Sequence, residues 1–285
     1  MSDESTNPGS CLCGSVTWEF SGEPFRRYNC HCKMCRKAHG AAFGTYWFLE
    51  HDQFRWTSET ETIERFRSSP LLTRSFCREC GSVVPYPSEQ RDFLVTVGGC
   101  HDEGIASECE IFVDYKAPWF DITSDLPTHS VYPESTGYQH VEEDPTEPPK
   151  EGVVRGSCLC GEIHFEVTEP MTIAQHCHCR RCRHARSAAH ASNGFVAIDG
   201  VTVLRGEDRI KEYKVLDAQY FTQTFCEICG SKVPRRDPGR NIAVVPLASL
   251  DDDPGIRPSR HIFTGNKAGW HEITDDIPQF EGAPT

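Results

Sequence analysis

Two groups of seven cysteines carry most of the chemistry that this sequence offers. The groups are Cys11, Cys13, Cys30, Cys32, Cys35, Cys77 and Cys80, and then Cys158, Cys160, Cys177, Cys179, Cys182, Cys226 and Cys229. Thiolates are preferred ligands of Zn²⁺, and cysteines two or three residues apart on a tight turn can reach one ion without strain. The pattern therefore predicts metal centres, with zinc as the favoured metal.

Four cysteines of each group have the spacing of a closed structural site. Cys11-x-Cys13-Gly14 and Cys77-x-x-Cys80-Gly81 form one set, and the matching second set is Cys158, Cys160, Cys226 and Cys229. The glycine after each pair suits the bend and lets backbone N–H groups approach the sulfur atoms. Disulfides are the disfavoured alternative, because Cys-x-Cys is a strained span and we expect a reducing compartment.

The remaining three cysteines of each group lie within six residues: Cys30, Cys32 and Cys35, and Cys177, Cys179 and Cys182. A closed structural zinc needs four protein ligands, whereas a catalytic zinc usually has three and an open position. Two alternatives remain. A histidine could complete the site and make it structural, or the three thiols could form a redox cluster. The candidate histidines are His31, His39, His51, His178 and His190.

Zinc held by three thiolates carries a formal charge of about −1, so it is a weak Lewis acid that favours a soft fourth ligand such as a thiol. A bound thiol loses its proton and becomes a nucleophile. Cations follow each trio and could neutralise the carboxylates of a charged thiol, or could simply be solvated at the surface. They are Arg36 and Lys37, then Arg180, Arg181 and Arg183.

The two groups belong to an internal repeat. Gly9–Gly14 returns at 156–161 and Cys30–Arg36 returns at 177–183, both 147 residues further on. The second cysteine pair recurs at an offset of 149 residues, and Lys116-Ala117-Pro118-Trp119 matches residues 267–270 at an offset of 151. Cys100 and Cys109 face Ser249 and Arg260 in this alignment, so we interpret both as ordinary thiols outside the shared chemistry.

Composition excludes several classes of protein. The chain has 285 residues, 16 cysteines, 38% hydrophobic residues and a formal net charge of −13. No apolar run approaches the roughly 20 residues of a bilayer crossing, and no secretory signal is apparent. We therefore predict a cytoplasmic protein without membrane or nucleic-acid partners, since phosphate affinity comes from clustered Lys and Arg.

Short patterns of period two predict a mainly β fold. Val16, Trp18 and Phe20 alternate with polar residues, as do Ile163, Phe165 and Val167, and 93–97 and 242–245 are further predicted strands. Short helices are predicted only from Cys32 to about His39 and from Cys179 to about Arg186.

These patterns divide the chain into a first domain, 1–127, a Pro- and Glu-rich linker, 128–153, and a second domain, 154–285. The prolines and acidic residues of the linker predict an extended, solvated segment; an ordered strap across the two units is the alternative. We expect the two domains to pack on each other.

Taken together, these motifs resemble the glutathione-dependent formaldehyde-activating enzyme / centromere protein V family, present here as a tandem repeat. The resemblance rests on Cys-x-Cys-Gly, Cys-His-Cys-x-x-Cys-Arg-Lys with Gly40-Ala41-Ala42-Phe43-Gly44 after it, Cys-x-x-Cys-Gly and Lys-Ala-Pro-Trp. It implies two zinc-stapled β-tent domains, with two Zn²⁺ per domain and four per chain. It also implies a carbon–sulfur lyase that joins a small aldehyde, formaldehyde, to the cosubstrate glutathione as S-(hydroxymethyl)glutathione, or reverses that reaction.

Carried onto this chain, the resemblance makes Cys30, Cys32 and Cys35 the ligands of an active zinc, with Arg36, Lys37 and Phe43 as substrate-binding candidates. The second repeat keeps all seven cysteines but replaces Gly40, Phe43 and Gly44 by Ser187, His190 and Ala191, Lys37 by His184 and Pro118 by Gly269. It therefore has another substrate or has lost turnover.

His31 and His39 are the nearest candidates for acid–base help, with a core or surface position as the alternative. Lys116 with Trp119, and Lys267 with Trp270, are explained by a core tryptophan beside an extended lysine. Two other functions remain open: a zinc module that binds glutathione or a protein without catalysis, and an adaptor on chromatin or the cytoskeleton, which the acidic charge disfavours.

Overall fold

The structure is a computed structural model that describes residues 6–142 and 148–284. The N-terminal residues 1–5 and the acidic residues Glu143, Asp144 and Glu147 of the predicted linker, with Pro145, lie outside the described residues. Within the described part of the chain, no helix is long and apolar enough to cross a membrane.

The first repeat consists of twelve strands and one α-helix. They are β1 (Thr6–Ser10), β2 (Thr17–Ser21), β3 (Arg26–Cys30), α1 (Lys33–His39), β4 (Gly44–Leu49), β5 (Phe54–Trp56), β6 (Ile63–Ser69), β7 (Leu72–Cys77), β8 (Val83–Val84), β9 (Tyr86–Pro87), β10 (Leu94–Val97), β11 (Cys109–Ile111) and β12 (Thr128–His129).

The second repeat has the same element order, with an isolated bridge between Phe225 and Lys232 in place of the short pairing of β8. Its elements are β13 (Val154–Ser157), β14 (His164–Val167), β15 (Ile173–Cys177), α2 (Arg180–Arg186), β16 (Ala191–Ala197), β17 (Val201–Arg205), β18 (Ile210–Lys214), β19 (Thr222–Cys226), β20 (Arg235–Asp237), β21 (Ile242–Pro246), β22 (His261–Ile262) and β23 (Gln279–Phe280).

Each repeat is built around a six-stranded mixed sheet, in the order β12-β11-β3-β4-β10-β9 and, in the second repeat, β20-β21-β16-β15-β22-β23. Smaller sheets flank it: β1-β2-β5 and β6-β7-β8, then β13-β14-β17 and β18-β19. The prediction of a mainly β fold with short helices is confirmed. Val16, Trp18 and Phe20 are buried while Thr17 and Glu19 are half-buried, as the alternation in β2 predicts.

The two helices begin at a cysteine and end at a left-handed residue. The Sγ of Cys32 accepts the N–H of Cys35 at 3.3 Å, so a metal-ligand candidate is also the N-cap of α1. The helix stops at Gly40, with φ of 65°, and α2 stops at Ser187, with φ of 51°. Each helix is about two turns long and buries five of its seven residues.

One apolar core is shared by the two repeats. Trp47 of the first repeat and Trp270 of the second meet edge to face with ring centroids 5.6 Å apart, and Leu94 and Val245 belong to the same buried cluster.

At the contact between the repeats, two side-chain pairs occupy equivalent positions. In one pair the helix residue comes from the first repeat, and in the other it comes from the second. The Nζ of Lys37 on α1 lies 2.7 Å from Oδ1 of Asp251. At the equivalent positions, Nε2 of His184 on α2 lies 3.6 Å from Oδ1 of Asp102, which also binds Arg183 at 2.7 Å.

A single buried lysine joins the two Cys-x-x-Cys-Gly turns that begin at Cys77 and Cys226, at the ends of β7 and β19. We call these turns the knuckles. Lys232 has no solvent exposure, and its ammonium group donates to the backbone carbonyls of Ala38 at 3.1 Å, Gly230 at 2.8 Å and Gly81. Its counterpart in the first repeat is Val83, so this contact is asymmetric.

The segment after β12 packs on the first repeat, in contrast to the solvated segment expected. The Tyr138 ring is stacked on Phe48, and Tyr132 meets Phe112 edge to face. Thr136 is buried, and its carbonyl accepts a hydrogen bond from Arg91 at 2.9 Å. The aromatic residues among the prolines explain the difference, because burying two tyrosines outweighs the solvation of the polar residues. The domain boundaries themselves remain a prediction.

Candidate metal centres and the cavity beside them

Each four-cysteine set converges on one point. Sγ atoms of Cys11, Cys13, Cys77 and Cys80 all lie within 4.8 Å of one another, and the second set, Cys158, Cys160, Cys226 and Cys229, does so equally. Every cysteine of the chain is a free thiol, so no disulfide competes for these atoms. Four buried or half-buried sulfur atoms at this spacing fit a tetrahedral structural zinc.

The glycines that follow the two Cys-x-x-Cys pairs are needed for a reason that a single repeat does not contain. Gly81 has φ of +73°, and a Cβ on it would lie 2.5 Å from the Phe225 ring of the other repeat. Gly230 has φ of +72°, and its Cβ would lie 2.6 Å from the ring of Phe76. Each knuckle therefore closes against the phenylalanine that precedes the opposite knuckle.

The three-cysteine sets also converge. Cys30 ends β3, Cys32 caps α1 and Cys35 lies in its first turn; their Sγ atoms are within 4.8 Å of one another, and those of Cys177, Cys179 and Cys182 match them. In the described ranges 6–142 and 148–284, no histidine or carboxylate joins either group. Three buried thiols without a fourth donor fit the ligand set of an open metal site.

The histidines proposed as a fourth ligand bind other groups. The Nε2 of His31 is 2.8 Å from Glu110, and His51 is 3.0 Å from Asp92. The Nε2 of His178 is 2.8 Å from Nδ1 of His261. His31 and His178 each follow the last residue of a strand, and these contacts engage their imidazoles with groups other than the cysteines on either side.

His39 is linked to the first trio through Tyr46, whose hydroxyl also contacts an arginine bound to Cys35. Its Nε2 is 2.8 Å from the Tyr46 hydroxyl, and its Nδ1 is 2.7 Å from the carbonyl of Arg186 in the second repeat. Burial lowers the pKa of this imidazole to about 4. A neutral His39 that donates to Arg186 and accepts from Tyr46 positions the tyrosine and does not itself reach the cysteines.

A buried arginine contacts the first trio and was missed by the sequence reasoning. Arg74 on β7 is 2% exposed, and its guanidinium donates to Sγ of Cys35 at 3.4 Å and to the Tyr46 hydroxyl at 3.2 Å. Hydrogen bonds from Cys30 and Cys32, followed by the charge of Arg74, hold the pKa of Cys35 well below its usual range. The available signal was an arginine three residues before Cys77, in a strand that is otherwise buried.

The second repeat has a different arginine near its trio. Gln223 stands where the first repeat has Arg74, and Arg186 stands where it has His39. The buried guanidinium of Arg186 donates to Asn193 at 3.1 Å, and burial lowers its pKa to about 10 against the opposing charge of Cys182. A cation near the third cysteine is thus present in both repeats, from different elements.

A cavity of about 100 Å³, which we call the trio cavity, lies against the first trio. Its walls combine aromatic and aliphatic side chains with a polar rim. The described lining residues are Tyr28, Cys30, Cys32, Met34, Cys35, Tyr46, Phe48, Ser69, Leu71, Leu72, Arg74, Tyr86, Ser88, Glu89, Gln90, Phe93, Val95, Ile111, Phe112, Tyr132, Tyr138, Gln139, His140 and Val141.

The predicted substrate-binding residues lie elsewhere. The Arg36 guanidinium donates to the carbonyls of His31 and Tyr115, both at 3.1 Å. Lys37 binds Asp251 and the carbonyl of Ser157. None of Arg36, Lys37 and Phe43 is among the residues that line the trio cavity.

The cations of the second helix are similarly engaged. Arg180 and Arg183 donate to Asp102 at 2.9 and 2.7 Å, and Arg181 donates to the carbonyl of Asp217 at 3.5 Å. The sequence therefore located cations beside each trio, and the fold directs most of them into contacts between elements.

A separate cavity of about 350 Å³ is lined by residues of both repeats. Phe43 lines it together with Glu110, His190 and His271. His261 and Asp275 also line this cavity, and with His178 they form a chain in which Nε2 of His261 is 2.9 Å from the carboxylate. Burial lowers the pKa of His271 to about 3, so this imidazole is neutral. At the positions of His31 and Glu110 the second repeat has His178 and His261, which pair with each other.

The other residues that the sequence singled out, Cys100, Cys109, Lys116 and Trp119, lie outside the cysteine groups. Cys100 and Cys109 are buried and belong to none of the cysteine groups found in the described residues. Trp119 is buried, and the nearby Lys116 donates to the carbonyl of Phe120 at 2.9 Å. This geometry matches the interpretation of a core tryptophan beside an extended lysine.

Comparison with known proteins agrees with the two repeats. The family model described as "Glutathione-dependent formaldehyde-activating enzyme" matches residues 6–115 and again residues 153–266. An uncharacterized lyase of Schizosaccharomyces pombe is 23% identical over 119 residues, which are 41% of this chain and 85% of that protein. A crystal structure of a Rhodobacter sphaeroides protein is 23% identical, covers 36% of this chain and 97% of its own, and has a TM-score of 0.29.

Proposed function

The chain belongs to the glutathione-dependent formaldehyde-activating enzyme family, and from that premise we propose that it is a zinc-dependent carbon–sulfur lyase. In this proposal it joins a thiol, glutathione, to a small aldehyde such as formaldehyde, as S-(hydroxymethyl)glutathione synthase does, or reverses that reaction. The observation that supports it best is the first trio: three convergent thiols beside a cavity, with a buried guanidinium on one sulfur atom.

Four zinc ions per chain are part of the proposal. Two would be structural, held by Cys11, Cys13, Cys77 and Cys80, and by Cys158, Cys160, Cys226 and Cys229. The other two would be held by the trios, that of the first repeat being the active one. Zinc bound by three thiolates supplies an open position for a thiol and favours the loss of its proton.

The residues around the first trio contribute charge and exclude water. Arg74 brings a positive charge to Cys35, which favours negative charge at the sulfur atoms. The Tyr46 hydroxyl accepts from Arg74, and its contact with His39 fixes its orientation. Aromatic walls lower the local dielectric and so strengthen these interactions.

The location and assembly of the protein are proposed on the same basis. Sixteen free cysteines are compatible with a reducing compartment, and we place the protein in the cytoplasm. We also propose that the two repeats act as one packed body in solution, since Lys37, Asp251 and Lys232 bind across their contact.

Metal analysis and exchange spectroscopy test the proposal. NMR exchange between free formaldehyde and its glutathione adduct should be accelerated by wild-type protein holding four zinc ions. Cys32→Ser should lower the zinc content by one per chain and abolish exchange while the fold persists. The matched change Cys13→Ser, in the four-cysteine set, should instead unfold the first repeat.

Two results would contradict this function. A folded protein that holds only two zinc ions per chain would show that the trios carry no metal. Four zinc ions without accelerated exchange, but with glutathione bound, would point to the non-catalytic zinc module instead.

A further inference from the structure

The trio cavity contains little that a charged thiol could bind. Of its described lining residues, Arg74 is the only lysine or arginine, and its guanidinium already donates to Cys35 and Tyr46. At the rim, Glu89 is paired with Arg67 at 3.1 Å, and a carboxylate there repels an anion. Glutathione carries two carboxylates, so its charged parts are better placed outside the cavity than within it.

The lining is mainly apolar, and aromatic rings form much of it. Phe48 and Phe93 lie 5.3 Å apart by ring centroids, and Tyr138 covers both of them. Tyr132 approaches Tyr138 edge to face at 5.3 Å. Both tyrosines follow β12, so this cover is built by the segment after the core of the first repeat.

The trio cavity, at about 100 Å³, is larger than formaldehyde, the smallest aldehyde, would fill. A cavity of about 150 Å³ lined by apolar side chains holds a benzene molecule, so about 100 Å³ suits a branched group of about four carbons. Each methylene group buried there improves binding by roughly fourfold. Formaldehyde has no carbon beyond its carbonyl and would gain none of this.

The second repeat shows how the same fold can carry a different wall. At the positions of Tyr28, Met34 and Tyr86 it has Gln175, Arg181 and Arg235. Tyr28 and Gln175 occupy equivalent places in the sheet, opposite Tyr46 and Asn193. Tyr86 and Arg235 are likewise equivalent, opposite Val95 and Val244. The apolar wall is therefore a property of the first repeat and not of the scaffold.

We propose that the trio cavity selects an apolar aldehyde with a short branched alkyl group as the carbonyl partner of the thiol, in preference to formaldehyde. The inference rests on the proposed function. In the reaction, the thiol sulfur forms a bond to the carbonyl carbon, the π electron pair moves to the oxygen, and the thiol proton ends on that oxygen. The product is a hemithioacetal, and nothing is oxidised or reduced.

The test compares two aldehydes with one thiol. NMR exchange with glutathione is measured for 3-methylbutanal and for formaldehyde, in each case from the concentration of free aldehyde. We expect kcat/KM for 3-methylbutanal to exceed that for formaldehyde by at least about tenfold.

Exchanging one wall residue between the repeats provides the matched variants. Met34→Arg introduces the residue that α2 carries at the equivalent position, so the helix tolerates it, and the ratio of the two kcat/KM values should fall about tenfold. Arg181→Met makes the reciprocal change far from this cavity and should leave the ratio within about twofold.

A binding measurement separates this inference from the proposed reaction. The unreactive analogue 3-methylbutan-1-ol should give saturation-transfer NMR signals with wild-type protein, and these should weaken in Met34→Arg. No exchange with either aldehyde, together with alcohol binding, would overturn the lyase function and leave the apolar selectivity standing. A tenfold preference for formaldehyde, or no binding of the alcohol, would overturn the selectivity itself.

Discussion

Arg74 is the residue that most distinguishes the first trio from an ordinary cluster of thiols. Three thiolates around one divalent ion leave excess negative charge, and a fourth thiolate would add to it. A guanidinium 3.4 Å from the sulfur of Cys35 offsets that charge from a position where solvent cannot screen it. Its effect is therefore expected on the protonation of the incoming thiol more than on the fold.

Replacing Arg74 by Gln, the residue of the second repeat at this position, tests that expectation. Loss of the cation disfavours the thiolate, so kcat/KM for thiol addition should fall by about tenfold to a hundredfold. The rising limb of the pH–rate profile should also move to higher pH. Zinc content, measured on the same sample, should remain at the wild-type value.

The exposed Arg67, on the neighbouring strand, offers a control. Arg67→Gln removes a guanidinium that binds Glu89 at the cavity rim and a carbonyl, but it leaves the charge beside Cys35 intact, so it should leave the position of the pH–rate profile unchanged. An Arg74→Gln variant with a normal pH profile would assign Arg74 a structural role only.

At the scale of elements, the knuckles after β7 and β19 are joined by Lys232. Three backbone carbonyls, one of them at the C-terminal end of α1, point at its ammonium group in a site without water access. A cation at a helix C-terminus is favourable, and here it also satisfies acceptors that have no strand partner.

Removing this amine should destabilise the whole chain. Lys232→Met keeps the length of the side chain but leaves buried carbonyls unsatisfied, at a cost of about 3 kcal/mol in the free energy of unfolding. Urea denaturation of the zinc-loaded protein measures the change. Lys211→Met is the matched variant, because Lys211 also donates to a first-repeat carbonyl, that of Arg78, but is exposed. It should cost less than about 0.5 kcal/mol; equal losses would show that the buried position of Lys232 is unimportant.

The elements also show which features a sequence can reveal. Cysteine knuckles, helices capped by cysteine and alternating strands are local, so the spacing of Cys11, Cys32 and Cys77 predicted their arrangement well. Lys232 gave no sequence signal and Arg74 only a weak one, because their partners lie in other elements of the chain. Arg36 and Lys37 lie next to the trio in sequence, yet the turn of α1 directs them to other parts of the chain.

At the scale of the whole molecule, ion pairs join the two repeats, among them Lys37 with Asp251. Burial alone would raise the pKa of the Asp251 carboxyl, but the charge of Lys37 and hydrogen bonds from Lys37 and Ser157 outweigh it and hold that pKa below its usual range. A carboxyl whose pKa is lowered by folding stabilises the protein above the unfolded pKa of about 4. That stabilisation is lost as the pH falls through the lower pKa of the folded state.

Asp251→Asn should therefore destabilise the protein by about 2 to 3 kcal/mol at pH 7, since it leaves Lys37 buried without its charge partner. The difference from wild type should shrink as the pH falls below about 4, in denaturant unfolding at a series of pH values. Asp102→Asn, at the equivalent but half-exposed position, should cost about 1 kcal/mol. A constant difference down to pH 3 would exclude the charge of Asp251 as the cause.

The reciprocal contacts of Gly81 with Phe225 and of Gly230 with Phe76 bear on how a chain with two repeats evolves from one with a single repeat. When residue i of one unit meets residue j of the other, and j meets i, the two units make an isologous contact of the kind found in a twofold homodimer. An ancestor with one repeat and this face would pair with a second copy of itself. A single chain with both repeats permits changes in one repeat alone: an arginine moved from strand to helix end, a lysine on one side, and an apolar wall kept beside the first trio but not at the equivalent positions of the second repeat.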